Sequence, residues 1–196
     1  QVRQGSLMDT SLVKGLMLLK SRVDINSPPE SKGGKVAIID GDLEKSKLQT
    51  SASIEISSLG ILQDFHDREM QALSNQVDHL SSLGVDLLVT RGGIADEAVS
   101  MLTDAGITGY RRFEKSDIDL LSVITGANPT RSISSLKESD IGKYSRRSEE
   151  SIADVDHTLL EGDGRGMTLV VRGSTPIIRE ESVRIFDDAI GVAHRM

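Results

Sequence analysis

A layered α/β fold follows from three features of the sequence. Short aliphatic runs bounded by Gly, Ser or Asp recur along the chain, helical patterns with one apolar face lie between the later runs, and the order helix–strand–helix–strand–helix fills residues 60–125. The runs at 13–19, 35–39, 52–56, 85–90, 107–111 and 167–171 read as strands, being rich in Val, Ile and Leu. Ile94, Ala95, Ala98, Leu102 and Ala105 share one apolar face, closed by Gly106 as the C-terminal stop. Ser116 is expected to cap a second helix, with Asp117 and Asp119 at its positive end and Gly126 as its stop. Residues 141–160 are polar and irregular, and a long hairpin there is expected to close at Gly162-Asp163-Gly164. Thr175-Pro176 supplies a cap and a first-turn proline for an amphipathic helix running to Met196.

The longest element is a helix over 60–83, about 36 Å at 1.5 Å per residue. Leu62, His66, Met70, Leu73, Val77 and Leu80 form the stripe that should pack. Ile61 and Phe65 fall roughly 90° or more from the centre of that stripe, next to Ser57, Ser58 and Gly60. Periodicity leaves two outcomes open: an exposed apolar tip that binds something apolar, or side chains that turn back onto the domain.

Composition narrows the partners. With 37% hydrophobic and 27% charged residues among 196, the chain can bury one substantial core. The formal net charge is -7 and no basic block exists to neutralise a run of phosphates, which argues against nucleic acid. The absence of cysteine rules out disulfides and thiolate metal sites and fits a reducing cytosol. No apolar run approaches the ~20 residues of a membrane helix. Because the first residue is Gln1, the chain is expected to be a piece of a longer polypeptide.

Reactive chemistry is sparse. Gly162-Asp163-Gly164-Arg165-Gly166 lacks the Lys-Ser/Thr of a phosphate loop and reads as a turn. His66, His79, His157 and His194 have no metal-ligand spacing, and there is no Gly-x-Ser-x-Gly elbow. Arg146-Arg147 with Glu149-Glu150 reads as a solvated, charge-balanced loop.

Several segments together carry a family likeness. Near the start these are Gly5-Ser6, Asp9-Thr10, Leu12 and Gly15 through Lys20; Val36-Ala37-Ile38-Ile39-Asp40 with Leu43-Glu44 follow. Next come Gly84-Val85-Asp86-Leu87-Leu88-Val89 with Gly93-Ile94 and Asp96. The run from Arg111 to Asp117, with Leu121 and Thr125-Gly126-Ala127, is the most specific. With Val171-Arg172-Gly173, Arg184 and Asp187 through Ile190, these segments resemble group II chaperonin subunits of the archaeal thermosome type, a likeness that covers essentially the whole chain. The chain departs from the family's pattern at Gln4-Gly5, at Gly173-Ser174, at Val183 and at Gly92, where lysine is common.

The resemblance implies a layered apical-domain fold with a long helical protrusion at about 57–84. It implies intermediate-domain segments at 1–12 and 173–196 around an apical domain at 13–172. The implied function is binding of unfolded protein and formation of a built-in lid over the chamber of an ATP-driven double ring in the cytoplasm. Leu59, Ile61, Leu62 and Phe65 would be lid or client contacts, and Glu97, Ser100, Met101 and Asp104 would meet the client from the helix at 94–105. Asp188 resembles the carboxylate that orients the water attacking ATP, a task a carboxylate suits by accepting a proton or holding a water in line. The ATP and magnesium site would lie in another domain, so this chain would hold no cofactor, hydrolyse nothing alone and be a monomer when isolated. Two rivals remain: a doubly wound enzyme binding a nucleotide or metabolite, which would want a glycine-rich turn after the first strand, and an adaptor for a single partner.

Overall fold

The computed structural model describes residues 2–43, 59–152, 155–162 and 166–195. In chain order the first strands are β1 (Val2–Gln4), β2 (Ser11–Lys14), β3 (Leu16–Leu18) and β4 (Gly34–Ile39), followed by helix α1 (Leu59–Ser82). Then come β5 (Leu87–Thr90), α2 (Asp96–Asp104), β6 (Thr108–Tyr110) and α3 (Lys115–Thr125). The chain ends with β7 (Gly142–Tyr144), β8 (Arg146–Ile152), β9 (Val155–Glu161), β10 (Met167–Gly173) and α4 (Pro176–Ala193). The strand expected at 52–56 lies outside the described residues.

The centre is a four-stranded sheet in the order β6-β5-β4-β7, parallel except for β7. Its two central strands, β4 and β5, read as aliphatic runs because both faces are covered. Side chains alternate across a strand, so β4 and β5 feed two separate cores. Val36, Ile38, Leu87 and Val89 pack with Ile118, Leu121 and Ile124 of α3 and with Leu16, Leu18 and Leu160. Ala37, Ile39 and Leu88 pack on the opposite face with Leu73, Val77 and Leu80 of α1 and Ala98 and Leu102 of α2. The result is mixed α/β, with two further three-stranded sheets ordered β1-β10-β2 and β3-β9-β8.

The run at 13–19, expected as one strand, is two. β2 pairs with β10 and β3 with β9. The chain changes sheets at Gly15, whose φ of 98° is a conformation that L side chains rarely adopt and where a Cβ would run into the Leu160 carbonyl. The hairpin differs from the expected one: β8 and β9 pair antiparallel from Arg146↔Glu161 to Ile152↔Val155, so they are not joined through Gly162-Asp163-Gly164, of which Asp163 and Gly164 lie outside the described residues. Glu114, not Ser116, is the N-cap of α3, while Gly126 ends it in the left-handed region as expected. Ile94 precedes α2, which begins at Asp96 after the N-cap Ala95. The cap of α4 is as read: the Thr175 hydroxyl accepts from the Ile178 N–H at 3.3 Å, with Pro176 following.

Arg147 overturns the solvated-loop reading. Its neighbour Arg146 is exposed, but Arg147 is only 1% exposed on β8. Its guanidinium donates to the Tyr110 hydroxyl at 3.1 Å, the Pro28 carbonyl at 2.8 Å and the Thr108 hydroxyl at 3.4 Å. It also lies over the Tyr110 ring, 6.0 Å from the centroid. Glu149, one turn of the pleat further along β8, is paired with Arg22 at 2.9 Å.

The loop carrying Pro28 runs along the edge of β6, where the Val23 N–H donates to the Gly109 carbonyl at 2.9 Å. Asp24 anchors it, accepting from the Asn26 N–H at 2.9 Å and from the Thr103 hydroxyl at 2.7 Å. The Asn26 N–H, and then the Thr103 hydroxyl, hold the Asp24 carboxyl below the ordinary carboxylate value. A depressed folded pKa stabilises the fold above the unfolded value, and that contribution is lost as the pH falls through the folded value. Acidification below the ordinary Asp range is therefore expected to loosen this loop, and Asp24→Asn to flatten that part of a pH–stability profile measured by urea unfolding.

Candidate functional site

α1 is anchored through its C-terminal half. Leu73, Val77 and Leu80 are buried, Met70 is half-buried, and His66, Asp67 and Arg68 are exposed. Towards its C-terminus the helix is tied down by polar contacts as well. The Lys35 ammonium donates to the Leu83 carbonyl at 3.0 Å, and the His79 ring lies 3.0 Å from the Leu136 carbonyl. Lysine at a helix C-terminus also opposes the negative end of the helix dipole. Leu59, Ile61, Leu62 and Phe65 all fall within α1, but their side chains lie outside the described ones.

α2 packs beside α1 on the same face of the central sheet. Of the residues assigned to it from sequence, Ser100 and Asp104 are exposed and Glu97 is half-buried. Met101 is half-buried, with part of its side chain packed against the core. The outward face of α2 is thus polar and acidic.

α3 covers the other face of the sheet and shows what the sequence reading missed. Leu120 is 50% exposed and Val123 60% exposed. The signal was available: α3 holds Ile118, Leu120, Leu121, Val123 and Ile124, more aliphatic residues than one packing face takes up. Lone exposed aliphatics are common, but two on successive turns make a small patch able to hold apolar side chains.

Asp188 is exposed on α4, which packs on β10 and β1 rather than on α1 or α2. The same helix exposes Ile177, Ile185, Ile190 and Val192. Among the described residues no group of three or more His, Asp or Glu could hold a metal ion, and no helix is long and apolar enough to cross a membrane.

The architecture matches solved chaperonins. The open-state monomer of a group II chaperonin from Methanococcoides burtonii superposes with a TM-score of 0.77 at 22% identity, over 98% of this chain and 42% of that one. The sheet-and-helix arrangement is therefore that of a chaperonin monomer region. The TCP-1/cpn60 chaperonin family model matches residues 1–196, and the chain belongs to that family, on its group II, thermosome side. It is 34% identical over 190 residues to a thermosome subunit of Methanopyrus kandleri, covering 96% of this chain and 35% of that protein. A thermosome subunit of Methanothermococcus thermolithotrophicus is 33% identical over 193 residues, covering 97% of this chain and 36% of that protein. The chain thus spans about a third of the length of the curated relatives it matches.

Proposed function

We propose that this chain is the client-binding, lid-forming apical part of a subunit in an ATP-driven ring chaperonin of the cytoplasm. Residues 13–172 form the apical domain in this reading, with about 57–84 as its helical protrusion. The observation that carries it is the burial along the described side chains of α1: Leu73, Val77 and Leu80 are buried while His66, Asp67 and Arg68 stand exposed. A helix some 36 Å long, packed over its C-terminal half, is suited to reach beyond its domain. Ile61 and Phe65 would then serve as tip contacts, for neighbouring protrusions and for client.

Exposed Leu120 and Val123 supply apolar surface that the acidic face of α2 lacks. Each such contact is weak at ~25 cal/mol per Å2, and several subunits in a ring would add avidity. Residues 1–12 and 173–196 would belong to the intermediate domain, and the exposed aliphatic residues of α4 would meet the rest of the subunit. Asp188 would act on ATP only when the magnesium-nucleotide site of another domain is brought to it. The 196-residue chain alone is expected to be monomeric and inactive towards ATP.

The test is suppression of aggregation of several unrelated denatured proteins by the chain. An Ile61→Ser/Phe65→Ser double variant is expected to lose several-fold in holding, with an unchanged unfolding midpoint. Holding of none of the denatured proteins by the unmodified chain, with tight binding of one defined partner, would instead identify an adaptor. A fall in the midpoint of the double variant would show that the two side chains belong to the core.

A further inference from the structure

Where β4 ends, the chain crosses the segment that leads from β5 into α2. The crossing is laced by the Gly92 N–H on the Gly41 carbonyl at 2.9 Å, the Leu43 N–H on the Gly93 carbonyl at 2.9 Å, and the Ala95 N–H on the Leu43 carbonyl at 2.8 Å. The Asp42 carboxylate accepts a fourth bond, from the Gly93 N–H at 2.9 Å. Leu43 is fully buried in the core cluster that holds Leu73, Val77 and Leu80 of α1 and Ala98 and Leu102 of α2. Ala95, the N-cap of α2, makes no side-chain capping bond, so the start of that helix is held by Leu43 instead.

We infer that Asp42 and Leu43 are positioning residues that couple α2 to α1, so that the two helices move as one unit. The Asp42–Gly93 bond depends on glycine at position 92, because a Cβ there would overlap the Asp42 carboxylate where it now lies. Asp42 and Gly92 are in this sense a matched pair: a side chain at 92 would expel the carboxylate that fixes Gly93. The inference rests on the reading above that α1 and α2 serve the client.

Amide hydrogen exchange of the 196-residue chain tests it without any client. In Asp42→Ala, exchange is expected to speed at least tenfold at Leu43, Gly93 and Ala95, and to rise together in α2 and in residues 73–82 of α1. Amides of Leu88 and Val89 should stay protected. Asp42→Asn keeps the acceptor oxygen and should exchange like the unmodified chain. Acceleration confined to Gly93, or present in one helix but not the other, overturns the coupling; so does an Asp42→Asn variant as fast as Asp42→Ala. Should Asp42→Ala accelerate every amide, rescue by Asp42→Asn in the same measurement still decides the role of the acceptor. Client holding is then measured on the same samples: coupled exchange with no holding would sink the chaperone reading and leave the coupling intact.

Discussion

Arg147→Ala is expected to lower the stability of the chain by about 2–5 kcal/mol, read as a shift in the urea unfolding midpoint with little change in slope. The guanidinium joins three elements at one point: the Pro28 carbonyl of the edge loop, the hydroxyls of Thr108 and Tyr110 on β6, and β8 itself. Alanine leaves the Pro28 carbonyl without this donor and opens a cavity the size of the lost side chain, and both effects destabilise. No carboxylate among the described residues pairs with Arg147, so its charge is compensated by neutral oxygens and by the face of the Tyr110 ring. The sign of an apolar replacement is therefore informative. Arg147→Met refills the volume without a cation to desolvate, and should lose clearly less than Arg147→Ala. Arg147→Lys should behave like Ala, because one ammonium cannot span three acceptors set for a planar fork. Equal midpoints for all three variants and the parent would mean that the buried arginine is energetically idle.

The second large effect is expected at the anchor of α1. Leu80 is fully buried, and Leu80→Ala should cost about 2–5 kcal/mol by lost transfer energy and the cavity left behind. The loss should be local before it is global. Among the described side chains of α1, Leu73, Val77 and Leu80 are the buried ones, so weakening one of these anchors should raise amide exchange along 66–82 before the central sheet opens. His66→Ser, on the exposed part of the same helix, should change stability by no more than about 0.5 kcal/mol. Exchange that rises equally in β5 and α1 of Leu80→Ala would show that the helix and sheet unfold as one unit.

How legible each element was in the sequence depended on how local its causes were. β4 and β5 are recognisable because burial on both faces leaves unbroken aliphatic runs, and α4 because Thr175 and Pro176 act within one turn. The pairing of β8 with β9 is not legible locally, because Asp163-Gly164 is the stronger turn signal in the sequence. The true register is set by the pairing of β9 with β3, 140 and more residues earlier in the chain. The same long-range pairing divides residues 13–19 at Gly15. Arg147 could not be told from Arg146 by charge pattern, since only strand alternation separates a buried from an exposed position. For the candidate site, α1 and its packing stripe were legible from periodicity from Leu73 onwards. Met101 and the Leu120–Val123 patch were not, because which of two apolar faces is covered depends on the sheet beneath.

The division of the central strands between two cores also bears on how force passes through the molecule. Ile38 and Ile39 are neighbours in sequence yet belong to opposite cores. Sliding β4 by one residue against β5 would exchange every one of these assignments at once. The sheet thus has no small, low-cost displacement along its strands. A pull applied through α1 on one side would reach α3 on the other with little slack, as through a rigid plate gripped on both faces.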